Sequence, residues 1–272
     1  MKVLKARDKI LEFDRTYIMG ILNVTPDSFS DGGRYFSVDQ AVEHAEKMLN
    51  DGADIIDIGA QSTRPGFEQI SPEEEWKRLE PVLSALLGNI NAVISIDTFY
   101  PQVAKAALDM GVHIINDVTG FSEEMFEVVR GSGCGCVVMY QGKPSGDVVE
   151  DCKRFFKAKL DEARLHGISH EYLCFDPGIG FGKTYDENLD LIANTDRIID
   201  NDSAFMMAAS KKRVIGTACS EATIDDRGYG TISAHTVSQF LGANVLRVHD
   251  VREGALAAKI TDELAKRRRI SG

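Results

Sequence analysis

The sequence predicts an α/β fold, a closed (β/α)8 barrel with a short N-terminal hairpin. Three observations carry this. Short apolar runs alternate with longer amphipathic stretches along the whole chain, which is the order of a parallel sheet wound with helices. The alternation yields eight strand–helix units, and 272 residues suit one such barrel, which takes roughly 250. The apolar runs are continuous, as expected of strands covered on both faces. A single domain over 1–272 is the expected organisation, since no linker, low-complexity tract or tandem repeat interrupts the pattern.

The elements follow in order. Residues 1–16 place apolar side chains at period two, so a short hairpin is expected at the base of the barrel. Strand one covers 18–23. The helix over 38–51 has Val42, Ala45, Met48 and Leu49 at helical spacing and stops near Gly52. Strand two covers 55–59, and the helix over 72–87 has Ser71 as N-cap and Pro72 in its first turn. Strand three covers 92–97, and its helix over 101–110 stops at Gly111. Strand four covers 114–117, and Ser122 caps a helix reaching 130. Strand five covers 136–139, with a helix from about 148 to 166. Strand six covers 173–176, with a helix from 186 to about 200. Strand seven covers 204–208, and 231–241 lies in the next helix. Strand eight covers 245–248, and a final helix runs from about 252 to 266.

The composition, 43% apolar and 27% charged, is that of a soluble globular protein. The net charge of −11 argues against non-specific nucleic-acid binding but leaves room for a local basic pocket. The five cysteines form no zinc-ligand spacing, because Cys134-Gly135-Cys136 is CxC and has no His/Cys partner pair; reduced thiols in a cytoplasmic protein are expected. The N-terminus alternates charge with short apolar pairs, unlike a secretory signal. No apolar run approaches the ~20 residues of a membrane span, so no membrane partner is expected.

The chemistry gathers at the strand ends. Asn23-Val-Thr-Pro-Asp-Ser-Phe-Ser-Asp-Gly-Gly33 leaves strand one, and Ser62-Thr63-Arg64-Pro65-Gly66 follows strand two. Asp97-Thr98, Asn116-Asp117 and Asp176-Pro-Gly-Ile-Gly-Phe-Gly-Lys183 end strands three, four and six. Ser210-Lys211-Lys212-Arg213 follows strand seven, and Arg247 and His249-Asp250 close strand eight. In a parallel barrel these ends meet at one mouth. One such residue alone is better read as a cap or turn. Polar groups from seven strands on one rim are hard to explain by capping. Asp97, Asn116 and Asp176 suit a flat heterocycle with several N–H groups, since a carboxylate accepts two parallel bonds from an amidine-like edge. Lys212 can donate to a ring carbonyl or nitrogen. Asn23, Arg64, Arg247 and His249 suit an anion such as phosphate. The glycines at 178, 180 and 182 do not make a dinucleotide fingerprint.

Together these motifs, in this order from Ile18 to about Val251, resemble the dihydropteroate synthases of folate biosynthesis. The resemblance implies a TIM barrel and a transferase. The family joins 6-hydroxymethyl-7,8-dihydropterin pyrophosphate to 4-aminobenzoate and releases pyrophosphate, by a dissociative substitution. It implies that Asp97, Asn116, Met139, Asp176, Lys212 and Arg247 bind the pterin. Asn23, Arg64, Arg247 and His249 would hold the pyrophosphate, with Asn23 a ligand of Mg²⁺. Thr63, Pro65 and Phe181 would shape the aminobenzoate site. Asp97, Lys212, Arg247 and His249 would carry the catalytic work. Residues 25–33 would form a lid that orders over substrate, sulfonamides would compete with aminobenzoate, and a homodimer would form through late helices.

The sequence departs from the family in three places. The usual Gly-Gly-Glu is Gly59-Ala60-Gln61, the usual Met-His-Met is Met139-Tyr140-Gln141, and the usual Gly-x-Ser-Arg-Lys-Ser is Ala208-Ala209-Ser210-Lys211-Lys212-Arg213. The last places Arg213 where a serine helps bind the aminobenzoate carboxylate, so Arg213 is expected in the second-substrate site. Two alternatives stay open: a pterin-binding paralogue with a lost or altered second step, and the methyltetrahydrofolate-binding barrel of corrinoid methyltransferases.

Overall fold

The computed structural model describes residues 2–25, 38–61, 69–199, 202–220 and 223–270. A two-stranded antiparallel hairpin, β1 (Val3–Ala6) and β2 (Lys9–Glu12), opens the chain. Eight parallel strands then close a barrel: β3 (Tyr17–Asn23), β4 (Ile55–Gly59), β5 (Val93–Asp97), β6 (Ile114–Asp117), β7 (Gly135–Met139), β8 (Leu173–Asp176), β9 (Ala204–Met207) and β10 (Val245–Val248). β10 pairs with β3 and completes the ring, so the sheet has no free edge. The helices are α1 (Val38–Asp51), α2 (Pro72–Asn89), α3 (Pro101–Met110), α4 (Glu123–Val129), α5 (Val148–Leu165), α6 (Tyr185–Ala193), α7 (Thr195–Ile198), α8 (Arg213–Cys219), α9 (Gly228–Phe240) and α10 (Val251–Ile270).

The pleat sorts each strand into two faces. Ile56, Ile58, Ile94, Ile96, Ile115, Val138, Phe175, Phe205, Leu246 and Val248 point outward into the shell packed by the helices. Met19, Ile55, Val93, Ile114, Val137, Cys174, Met206 and Val245 point inward. They form one dry layer at the base, and Leu4, Ala6 and Leu11 of the hairpin close it from below. Two residues further along the inner face of these strands lie Asp57, Ser95, Asn116, Met139, Asp176 and Arg247. The apolar plug therefore confines solvent and polar chemistry to the C-terminal mouth.

Local chemistry sets the helix ends. Ser71 caps α2 by accepting from the Glu74 amide, Ser122 caps α4 through Met125, and Gly111 ends α3 in the left-handed region at φ 108°. Where the structure differs from expectation, the cause is also local. The helix expected over 186–200 is two: α6 starts one residue early in a Thr184/Glu187 capping box, and the chain breaks at Asn194. There Thr195 Oγ1 bonds back to the Ile192 carbonyl at 3.0 Å. The short α8 was not anticipated, because seven residues are too few to show a helical period. α9 begins at Gly228 and α10 extends to Ile270, beyond the expected bounds.

His235 of α9 is buried against the barrel wall, and its Nε2 accepts from the Ala209 amide at 3.1 Å. Burial, aided by Lys212 and His249, pushes its pKa down to about 3 from 6.5. The unfolded chain therefore binds the extra proton between those values. Stability from this group is full above about pH 6.5 and falls by at most ~1.4 kcal/mol per pH unit as the medium is acidified. Urea midpoints measured from pH 7 to 4 should show this loss. A His235→Gln chain should lose less over the same range; equal acid sensitivity would place the titration elsewhere.

Candidate active site

The inner polar layer is organised by a residue that the sequence motifs did not single out. Asp57, in the middle of β4, is fully buried. It accepts from Ser95 Oγ at 2.6 Å, Asn116 Nδ2 at 3.1 Å and Arg247 Nε at 2.7 Å. Strand register brings these together: Asp57 lies opposite Ser95 on β5, and Asp97 lies opposite Asn116 on β6. Arg247 crosses from the other side of the β10–β3–β4 seam, and its Nη2 donates to Asp97 at 2.8 Å. One guanidinium thus bridges two carboxylates. Burial, supported by the Asp57 carboxylate, pushes Asp97 above its ordinary range, against the pull of Arg247. Burial also opposes the charge on Arg247, but Asp57 and Asp97 outweigh it and hold the guanidinium protonated.

Asp176 and Lys212 form the opposite side. Asp176 ends β8, opposite Met139 on β7, and accepts from the Gly178 amide at 2.8 Å. Burial raises its pKa and Lys212 works against that rise. Lys212 is the N-cap residue of α8; its ammonium donates to the Ile179 carbonyl at 2.5 Å and lies 4.8 Å over the Phe181 ring. Burial brings Lys212 down to about 8, with Asp176 opposing. Met139 is buried on the inner face between these groups, an apolar surface suited to a flat ring.

The β8–α6 turn is held from beneath by Lys183. Its ammonium donates to the carbonyls of Tyr140, Gly178 and Phe181 at 3.1–3.2 Å and lies 4.4 Å from the Tyr140 ring. Gly178 has φ 69°, and a Cβ there would sit 2.3 Å from the Tyr140 carbonyl oxygen. Gly178→Ala is therefore expected to cost at least ~2 kcal/mol of stability and to displace Asp176. A thermal melt within 1 °C of the parent, with ~1 °C taken as well under the shift from 1 kcal/mol, would contradict that geometry.

At the rim, Asn23 ends β3, and its Oδ1 lies 3.9 Å from where a Cβ would project at position 59. His249 follows β10, with Nδ1 at 2.9 Å from Ser210 Oγ, and the same hydroxyl accepts from the His249 amide at 3.1 Å.

Each expected residue can now be placed. Asp97, Asn116, Met139, Asp176, Lys212 and Arg247 share the inner face of the mouth, and Asn23, Phe181 and His249 lie on its rim. Thr63, Arg64 and Pro65 lie outside the described residues, as does most of the 25–33 loop. Arg213 is the first residue of α8 and is exposed. Tyr140 turns away from the mouth, because its neighbour Met139 faces inward; it packs on Phe155 at 5.3 Å in the outer shell. Lys211 has φ 54° and donates to Asp250 at 2.8 Å, which ties the β9–α8 turn to the end of β10. Asp57 did carry a signal: it is the only charged residue in the run Ile-Ile-Asp-Ile-Gly, on the same face as the rim position 59.

Comparison with known proteins matches this arrangement. The family model described as pterin binding enzyme covers residues 19–249. A dihydropteroate synthase of Clostridium beijerinckii is 39% identical, over 93% of this chain and 96% of its own. A Xanthomonas albilineans dihydropteroate synthase solved with 4-aminobenzoic acid superposes with a TM-score of 0.92 at 36% identity, over 97% of this chain and 98% of that one. A Clostridium difficile dihydropteroate synthase solved in the presence of pteroic acid gives 0.88 at 38% identity, over 92% and 97%. With the barrel and the matched span in agreement, the chain belongs to the dihydropteroate synthases of the pterin-binding enzyme family.

Proposed function

We propose that the chain condenses 6-hydroxymethyl-7,8-dihydropterin pyrophosphate with 4-aminobenzoate, giving 7,8-dihydropteroate and pyrophosphate. The observation that carries this reading is the pair of buried carboxylates, Asp97 and Asp176, on the inner face that also holds Met139, each balanced by a cation, Arg247 and Lys212. Such a pocket offers acceptors to the amidine edges of a pterin and a donor to its carbonyl side, with an apolar face beneath the ring. Asp57 holds Asn116 and Arg247 in place for the same ring. The C–O bond to pyrophosphate breaks first, and the ring keeps the positive charge near Asp97 and Asp176. The neutral aniline nitrogen then forms the C–N bond and releases its proton. No nucleophilic side chain is required; catalysis is positioning and charge stabilisation in a site closed to water.

The donor set at the rim fits Mg²⁺. Among the described residues no group of three or more His, Cys, Asp or Glu could hold a metal ion. Magnesium does not need one, since it is commonly held by one or two protein oxygens with substrate phosphates and waters. The Asn23 carboxamide oxygen, at the end of β3, would be that protein ligand. When bound, Mg²⁺ would neutralise charge on the pyrophosphate. Arg247 and His249 would orient the same group from the neighbouring strand β10.

Arg213, exposed at the start of α8 next to Lys212, would meet the second substrate, and its guanidinium suits a carboxylate. Arg213→Ser is expected to raise KM for aminobenzoate several-fold and leave KM for the pterin within about twofold. A homodimer through the late helices is supported by the exposed Leu256, Ile260 and Leu264 on one stripe of α10, with Val237 and Phe240 on the adjoining α9. Light scattering tests it. Four buried free cysteines suit a reducing compartment such as the cytoplasm, and no helix among the described residues is long and apolar enough to cross a membrane.

The direct test supplies purified protein with pterin pyrophosphate, aminobenzoate and Mg²⁺ and measures pyrophosphate release. Absence of product would overturn the reading. Pterin binding without aminobenzoate or sulfonamide binding would instead mark a pterin-binding protein with an altered second step.

A further inference from the structure

Ser210 follows β9 at the mouth and is buried, with 5% of its surface exposed. The turn that carries it is pinned to α9 on both sides of the serine. The Ala209 amide donates to His235 Nε2 at 3.1 Å, and the Lys211 amide donates to Thr231 Oγ1 at 3.0 Å. Lys211 is held in the left-handed region at φ 54°, with its ammonium on Asp250 at 2.8 Å and Arg227 Nη1 on its carbonyl at 3.0 Å. A non-glycine residue keeps that conformation only where its surroundings over-determine it. The Ser210 hydroxyl is therefore presented to the end of β10 from a fixed position.

That hydroxyl meets His249 twice. It accepts from the His249 backbone amide at 3.1 Å, and it lies 2.9 Å from the ring nitrogen Nδ1. An amide N–H can only donate, so one lone pair of Oγ is committed. Among the described residues, Nδ1 is then the one acceptor bonded to the hydroxyl proton. Were Nδ1 protonated instead, Oγ would accept twice and bury its own proton without a partner, which is unfavourable. Nδ1 is thus the acceptor, and the neutral imidazole carries its proton on Nε2. Ring geometry sets Nε2 on the side away from Ser210, and His249 is exposed. The other tautomer would turn a lone pair toward any anion on that side.

We infer that Ser210 is a positioning residue for the leaving group: it holds His249 in the Nε2–H form, with that N–H directed at the pyrophosphate. The inference deepens the functional reading above and rests on it, because that reading gives His249 the pyrophosphate. It also separates Ser210 from Lys212, two positions on, which serves the ring. Loss of the hydroxyl should weaken the hold on phosphate and leave the ring site intact, since the Lys211–Asp250 bond still ties the same turn to β10. A serine that only supported the turn would disturb Lys212 and His249 alike.

Two measurements on the full chain test this. Nitrogen-15 correlation spectra of His-labelled protein are recorded at about pH 8, where imidazole is neutral, and assigned with His249→Ala. They should show His249 with a bare Nδ1 and a protonated Nε2. A predominant Nδ1–H form overturns the proposal, and this measurement needs no serine variant to fold. Calorimetry with Mg²⁺ and without aminobenzoate then compares 6-hydroxymethyl-7,8-dihydropterin pyrophosphate with 6-hydroxymethylpterin. Ser210→Ala should bind the pyrophosphate about tenfold more weakly than the parent and the unphosphorylated pterin within about twofold. In a His249→Ala chain the same substitution should change affinity for the pyrophosphate by less than about twofold, because the hydroxyl acts through the ring. Equal weakening of both ligands, or a further loss of about tenfold in the His249→Ala chain, overturns the proposal. A parent that binds neither ligand overturns the functional reading and this proposal with it. A parent that binds both, with Ser210→Ala matching it on each, overturns this proposal alone.

Discussion

Arg247→Met is expected to lose about 3–5 kcal/mol of folding stability together with measurable synthesis. The reason is the position of the guanidinium between Asp57 and Asp97, at 2.7 and 2.8 Å, in a layer with little access to water. Methionine fills most of the space but leaves two buried carboxylates facing each other without a cation. The cost is therefore that of an uncompensated buried charge, beyond the loss of a contact. Protonation of one of the two acids should recover part of it, so the variant should become relatively more stable as pH falls from 7 toward 5, opposite to the acid sensitivity contributed by His235. Urea denaturation at the two pH values checks both the size and the sign. A loss below about 1 kcal/mol, the scale of an exposed ion pair, would mean that the triad is solvated.

Asp97→Asn should separate function from stability. The amide removes one of the two carboxylates competing for Arg247, so folding stability is expected to stay within about 1 kcal/mol of the parent or to rise. Catalysis should suffer far more. A carboxamide has one acceptor oxygen in place of a bidentate carboxylate and no charge to stabilise the cationic ring, so kcat/KM should fall on the order of 10²–10³-fold. The loss should appear in pterin affinity and kcat together, with KM for aminobenzoate little changed. An Asn variant of near-parental activity would remove Asp97 from the reaction and leave it a structural partner of Arg247. Together the two variants show whether the triad is held for the fold or for the ring.

Much of this molecule is legible in its sequence. Continuous apolar runs of four to seven residues and helices bounded by Ser71, Gly111 and Ser122 report on local backbone preference and on burial of both sheet faces. These features are set by residues a few positions apart. The rim residues were legible for a similar reason: a parallel barrel must deliver every strand end to one mouth. The missed helix α8 and the split at Asn194 mark the limit of such reasoning, where a segment is shorter than the period that would reveal it.

What the sequence determined by itself was therefore the barrel, its family and the polar groups carried by its strand ends, though not Asp57 beneath them. The tertiary structure decided which way each group faces and what it is paired with. It made Asp57 the anchor of three neighbours, turned Tyr140 into the outer shell and set Arg213 at the surface. The physical reason is register. Side chains alternate faces along a strand, so one residue separates Met139 on the inside from Tyr140 on the outside. Partners such as Asp57 and Arg247, 190 positions apart, meet only because β10 closes the ring against β3.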